Sequence, residues 1–107
     1  MYRLPLEIRI GPHRYTLMRE AQVESRQRWG ETDSNLREIR FGTLAHPRQL
    51  SVTALHELMH AVWAVYGDAT LSDSQEEHTI AAMSTGLAQV MQDLGLWPEE
   101  IKLAGED

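Results

Sequence analysis

An α+β domain, with a small sheet of about three strands packed on two long helices, is the fold class this sequence predicts. Three observations carry the expectation. Apolar residues in the first forty positions alternate with a period of two, as on a half-buried strand. Residues 48–66 are apolar around nearly the whole helical circumference. Residues 73–94 repeat apolar side chains at helical spacing behind a cluster of capping residues.

Leu4, Leu6, Ile8 and Ile10 fall on one face of a first strand, with Glu7 and Arg9 opposite. Gly11-Pro12-His13 is a turn signal. Tyr15 and Leu17 then share a face within residues 14–19, which predicts a hairpin. Residues 20–30 are polar and weakly patterned, either a loop or a ragged continuation of that strand. Glu31-Thr32-Asp33-Ser34-Asn35 is a turn cluster. Ile39 and Phe41, two apart, mark a third strand within residues 36–44.

His46-Pro47 is a boundary, because the residue before proline is pushed out of the α region. The first long helix runs over residues 48–66, with Gly67 as its stop. Leu55, Leu58, Met59, Val62, Val65 and Tyr66 cover a wide arc of it, so a central, buried helix is expected. The second runs over residues 73–94 and ends at Gly95. Ser72, Asp73 and Ser74 each have Gln or Glu three residues later and so could each open a capping box. Ile80, Met83, Leu87, Val90, Met91 and Leu94 form its expected core stripe. Ala81, Ser84 and Ala88 form a neighbouring strip small enough for close helix approach. Trp97-Pro98 opens an exposed tail.

Composition removes several function classes. The 107 residues carry a formal net charge of −6, and no cluster of bases stands out, which argues against nucleic acid as a partner. There is no cysteine, so neither a disulfide framework nor a thiolate metal site exists. No apolar run approaches the length of a membrane span, and the first residues lack the apolar stretch of a signal peptide. A cytoplasmic protein without membrane contact is the expectation.

The chemistry concentrates at His56-Glu57-Leu58-Met59-His60. Two histidines four residues apart on a helix point the same way, one turn apart, and both imidazoles reach one metal ion. Glu57 lies about 100° around the helix from His56. There it is placed to take a proton from a zinc-activated water without ligating the metal. The bland reading is two surface histidines with a solvated glutamate between them. The apolar flanks Ala54-Leu55 and Ala61-Val62-Trp63 weigh against it, because they would bury these ionisable groups, and burial without a partner is costly. A catalytic zinc also needs a third protein ligand. Glu76-Glu77-His78 opens the second helix sixteen to eighteen residues after His60. The same triplet also suits a charged first turn that complements the helix dipole. Helical geometry does not choose between Glu76 and Glu77.

The motif His56-Glu57-x-x-His60, followed on the next helix by a glutamate, resembles the gluzincin type of zinc metallopeptidase. It is most similar to the compact versions found in phages and prophages, with Thr53-Ala54-Leu55-His56-Glu57-Leu58-Met59-His60-Ala61 and then Glu76-Glu77-His78-Thr79-Ile80. The likeness spans residues 8–94. It implies a zincin-like domain over residues 1–95 with a tail over 96–107. It implies a zinc ion held by His56, His60 and Glu77, with Glu76 as the alternative third ligand, and Glu57 as general base in peptide-bond hydrolysis. Glu38–Phe41 is similar to the edge strand that holds an extended peptide in such enzymes, although as an ordinary strand it needs no such role. Larger relatives place a His or Tyr from a second domain against the oxyanion. Here His46, Tyr66 or His78 could substitute, and none of them is singled out. A peptide or protein substrate follows from this resemblance. The alternative is a catalytically silent zinc-binding structural or interaction module. His13 and the three tryptophans fit ordinary turn, core or surface roles.

Overall fold

A computed structural model describes all 107 residues, Met1–Asp107. The first apolar run breaks in two. Strand β1 (Tyr2–Leu4) and strand β2 (Glu7–Ile10) are separate, and Leu6 between them is exposed. Pro5 has no N–H to donate to a ladder, which accounts for the interruption. Strand β3 (His13–Arg19) pairs antiparallel with β2 as the expected hairpin, turning at Gly11 with φ +58°.

Residues 20–30 hold a short helix, α1 (Gln22–Ser25), which seats Val23 in the interior. Strand β4 (Gly30–Asp33) then occupies the segment expected to be a turn. It pairs antiparallel with β5 (Glu38–Phe41), which itself runs parallel to β3. The sheet order is β2-β3-β5-β4, so β5 is interior and β4 is the edge. Glu38–Phe41, similar in sequence to a peptide-holding edge strand, is thus an ordinary interior strand.

Register explains how a strand without one large apolar residue is held. Directly paired residues share a face of the sheet. Gly30 pairs with Phe41 and Thr32 with Ile39, so Gly30 and Thr32 sit on the core face. Glu31 and Asp33 sit on the outer face opposite Arg40 and Glu38. There the Arg40 guanidinium reaches Asp33 at 3.0 Å, Glu38 at 2.9 Å, Glu20 at 3.3 Å and Glu31 at 3.6 Å.

Helix α2 (Pro47–Tyr66) packs against this sheet. Pro47 opens it at the position where a missing N–H does no harm. Its Leu50, Ala54 and Ala61 join Tyr15, Leu17, Ile39 and Phe41 in one core. The helix is less enclosed than expected, since Val52, Val62 and Tyr66 are exposed. Gly67 ends it in extended backbone, φ −82°, rather than a left-handed turn. The reason for glycine is proximity: a Cβ there would lie 2.3 Å from the Trp63 ring.

Helix α3 (Asp73–Asp93) begins with a capping box made by Ser72 and Gln75. It ends in a left-handed Gly95, φ +72°, with Leu96 N–H donating to Met91 O and Gly95 N–H to Gln92 O. It meets α2 through Ile80, Ser84 and Ala88. Of the expected stripe Ile80 is inside, while Met83, Leu87, Val90 and Leu94 are exposed and the small-residue strip makes the rest of the contact. Small side chains let the helix backbones approach closely, and that decides the packing face.

Residues 96–107 do not form an exposed tail. Strand β6 (Ile101–Leu103) pairs parallel with β1, and Ile101 and Leu103 are buried in the core. Trp97 Nε1 donates to Ser51 O at 3.2 Å, and Arg19 grips Glu106 through two nitrogens. No helix is long and apolar enough to cross a membrane.

Candidate metal centre

His56, Glu57 and His60 lie on the stretch of α2 that runs beside β4 and the start of α3. The two imidazoles are half-buried, and their ring centroids are 4.8 Å apart. Their Nε2 atoms face each other at 3.2 Å. Glu77, just past the first turn of α3, brings Oε1 to 3.1 Å from His56 Nε2 and Oε2 to 2.7 Å from His60 Nε2. One donor atom from each of the three residues falls within a 4.8 Å cluster.

These spacings suit a small divalent cation. Tetrahedral bonds of about 2.0–2.1 Å place neighbouring ligand atoms roughly 3.3 Å apart. The separations of 3.2 Å and 3.1 Å are close to that, while the 2.7 Å His60–Glu77 approach is hydrogen-bond length. The donor set, two imidazoles and one carboxylate, suits zinc among other first-row metals. It also concentrates carboxylates: Glu57, Glu76 and Glu77 line the same cleft, and a cation among them offsets their repulsion.

Glu76 does not face this centre. Its Oε2 lies 2.7 Å from His60 Nδ1, on the opposite edge of the ring from Nε2. One metal ion held by His60 Nε2 is out of reach of a carboxylate held at Nδ1. On the other histidine, Ser84 Oγ lies 3.3 Å from His56 Nδ1.

Glu57 is buried, and its two oxygens have different surroundings. Oε1 accepts from the Thr32 hydroxyl at 2.8 Å. Oε2 stands 4.0 Å from His56 Nε2, too far for a shared ligand position yet close enough for a water between. Burial pushes the Glu57 carboxyl above its ordinary value, against the opposing pull of the Thr32 hydrogen bond and of His56 and His60. Gly30 is what lets β4 lie against Glu57, because a Cβ there would be 2.9 Å from Glu57 Cγ and 2.5 Å from Thr53 Cγ2.

The centre opens into a cleft of about 790 Å³. One wall is β4 with Arg28, Trp29 and Ser34; the other is the start of α3 with Asp73, Glu76 and Glu77. Glu77 is the exposed member, with 58% of its side-chain surface open. None of His46, Tyr66 and His78 lines the cleft. His46 instead caps α2, and Tyr66 lies beside Gly11.

Thr32 and Gly30 carry no signal in the sequence, because their strand lacks alternating apolar residues. Ser84 is visible there only as a small residue. No protein-family model, curated protein or solved structure matches the chain, so the chemistry of these side chains is the ground for assigning a role.

Proposed function

We propose that this chain is a zinc-dependent peptidase with a zincin-like minimal domain of gluzincin type. His56, His60 and Glu77 are its metal ligands and Glu57 is its general base. The observation that carries the reading is the asymmetry of Glu57. One oxygen is held by Thr32, and the other is left open beside the converging donors of the three ligands. A purely structural site has no use for a buried carboxylate held that way.

When bound, zinc supplies a Lewis acid that brings water to nucleophilic strength near neutral pH. Glu57 Oε2 would take a proton from a water in the cleft and deliver it to the departing amine. Thr32 keeps the carboxylate from rotating away. Strand β4, with one edge unpaired and its residues lining the cleft, supports an extended peptide or protein substrate by strand addition.

The test combines metal analysis of purified protein with hydrolysis of an unfolded, fluorescence-quenched protein substrate. Wild type is expected to carry one zinc and to cleave. Glu57→Gln is expected to keep zinc and lose cleavage. Full zinc content without cleavage of any unfolded substrate would leave the silent zinc-binding module as the function. Cleavage by Glu57→Gln at the wild-type rate would remove Glu57 as the base.

A further inference from the structure

The metal ligands account for Glu77 but not for the two other polar groups that α3 places against the histidines. We propose that Glu76 and Ser84 are positioning residues, each holding the Nδ1 proton of one histidine so that both Nε2 lone pairs face Glu77. The inference rests on the metal centre described above and assigns its outer partners.

A neutral imidazole carries its proton on one nitrogen and its lone pair on the other, and whichever nitrogen donates a hydrogen bond is the one that keeps the proton. Glu76 Oε2, 2.7 Å from His60 Nδ1, can as a carboxylate only accept, never donate. It therefore draws the proton to Nδ1 and leaves the His60 Nε2 lone pair facing inward. At His56 the acceptor is a hydroxyl. Ser84 Oγ donates its own proton to Ala81 O at 3.3 Å, which leaves its lone pairs for the Nδ1 proton of His56 at 3.3 Å. Ser84 is buried, so no water competes for this contact.

One helix supplies all three groups. Glu76 and Glu77 are consecutive, about 100° apart around α3, so one reaches the outer edge of the His60 ring while the other reaches the inner edge. Ser84 lies two turns further along, on the strip that packs against α2. The pair Glu76-Glu77 thus has divided labour, one carboxylate orienting a ligand and the other ligating. This also accounts for the helix contact running through small residues, because a bulkier side chain at 84 would displace His56.

The two acceptors differ in strength. A carboxylate on an imidazole raises the basicity of the ligand nitrogen, and loss of such a partner lowers metal affinity about 10–100-fold. A hydroxyl at 3.3 Å orients with little added charge.

The experiment measures zinc affinity by competition with a chromophoric chelator, the visible spectrum of the cobalt(II)-loaded protein, and the histidine tautomers by two-bond nitrogen–proton NMR. Glu76→Gln keeps an oxygen acceptor without the charge, and Glu76→Ala removes both. The expected order of affinity is wild type, then Glu76→Gln, then Glu76→Ala, with Glu76→Ala about 10–100-fold weaker than wild type. Glu76→Gln keeps His60 as the Nδ1–H tautomer and keeps the tetrahedral cobalt spectrum, whereas Glu76→Ala mixes the tautomers and alters the spectrum. Ser84→Ala shifts the His56 tautomer with a smaller loss of affinity. Circular dichroism separates these effects from unfolding. Equal affinities in Glu76→Gln and Glu76→Ala would mean that only charge matters and would overturn positioning by Glu76. Unchanged tautomers and spectra across the series would overturn both roles and leave the ligand set standing. Wild-type protein that binds no divalent cation would overturn the metal centre and the positioning roles together.

Discussion

The Thr32 hydroxyl lies 2.8 Å from Glu57 Oε1 and 2.9 Å from the Glu57 backbone carbonyl, so a residue of the edge strand holds one oxygen of the buried carboxylate. The other oxygen is left beside the histidine pair. Two elements far apart in sequence meet here, and the meeting makes one glutamate into two distinct oxygens.

Replacing Thr32 by Val keeps the shape and removes the donor. A hydrogen bond to a charged group contributes about 1.5–3 kcal/mol, so kcat/KM is expected to fall by at least tenfold, with zinc content unchanged. The pH profile moves too. Burial already holds the Glu57 carboxyl above the ordinary value of 4.5, and the Thr32 hydrogen bond opposes that shift. The base works only when deprotonated, so activity falls as pH drops through its titration. Without the Thr32 donor the acid limb of kcat/KM moves to still higher pH. An acid limb that stays in place, or moves down, would dissociate Thr32 from Glu57.

Gly30→Ala probes the same approach from the backbone side. Its Cβ would sit 2.5 Å from Thr53 Cγ2 and 2.9 Å from Glu57 Cγ, both side-chain atoms of α2. Overpacking of this kind costs typically about 1–3 kcal/mol. The urea midpoint is expected to drop, and hydrolysis to fall further than stability alone explains, because β4 must move off Glu57. A variant with wild-type midpoint and rate would show that β4 is not held where these contacts place it.

Helix α3 tests how much of the fold was legible in the sequence. Its ends were readable, because Ser72, Gln75 and Gly95 act within one turn of where they stand. Its buried face was readable only in part, since Ile80 of the expected stripe is inside. Hydrophobicity alone also favours Met83, Leu87 and Val90, yet Ser84 and Ala88 are inside instead. What selects them is the close approach of α2, a relation between distant segments that a helical period cannot express. Met83→Gln is therefore expected to change stability by no more than about 0.5 kcal/mol, as for other surface substitutions. Ile80→Ala is expected to cost about 2–5 kcal/mol. The reverse order in urea denaturation would put the stripe back in the core. The histidine pair was legible for the opposite reason: its spacing is local to one helix, whereas its partners Thr32 and Ser84 come from elsewhere.

The final segment carries more of the fold than its composition suggests. Ile101 is fully buried, and β6 closes against β1 and α2, so Ile101→Ala is expected to cost about 2–5 kcal/mol. In a domain of 107 residues that is a large share of the total stability. Glu106 locks the segment through Arg19, whose guanidinium also donates to Gly42 O and Ala45 O. Burial pushes the Glu106 carboxyl up, but the hydrogen bonds from Arg19 and from the Leu103 N–H, with the charges of Arg19 and Lys102, hold it below its ordinary value of 4.5. A carboxylate with a depressed folded value stabilises the native state above its unfolded value, and that contribution is lost as pH falls through the folded one. The stability gap between wild type and Glu106→Gln is therefore expected to be full at neutral pH, to narrow from about 4.5 downward, and to vanish in stronger acid. Urea midpoints measured from pH 7 to pH 3 read this directly. A gap that widens as the solution is acidified would mean that Glu106 is not held by Arg19 in the folded chain.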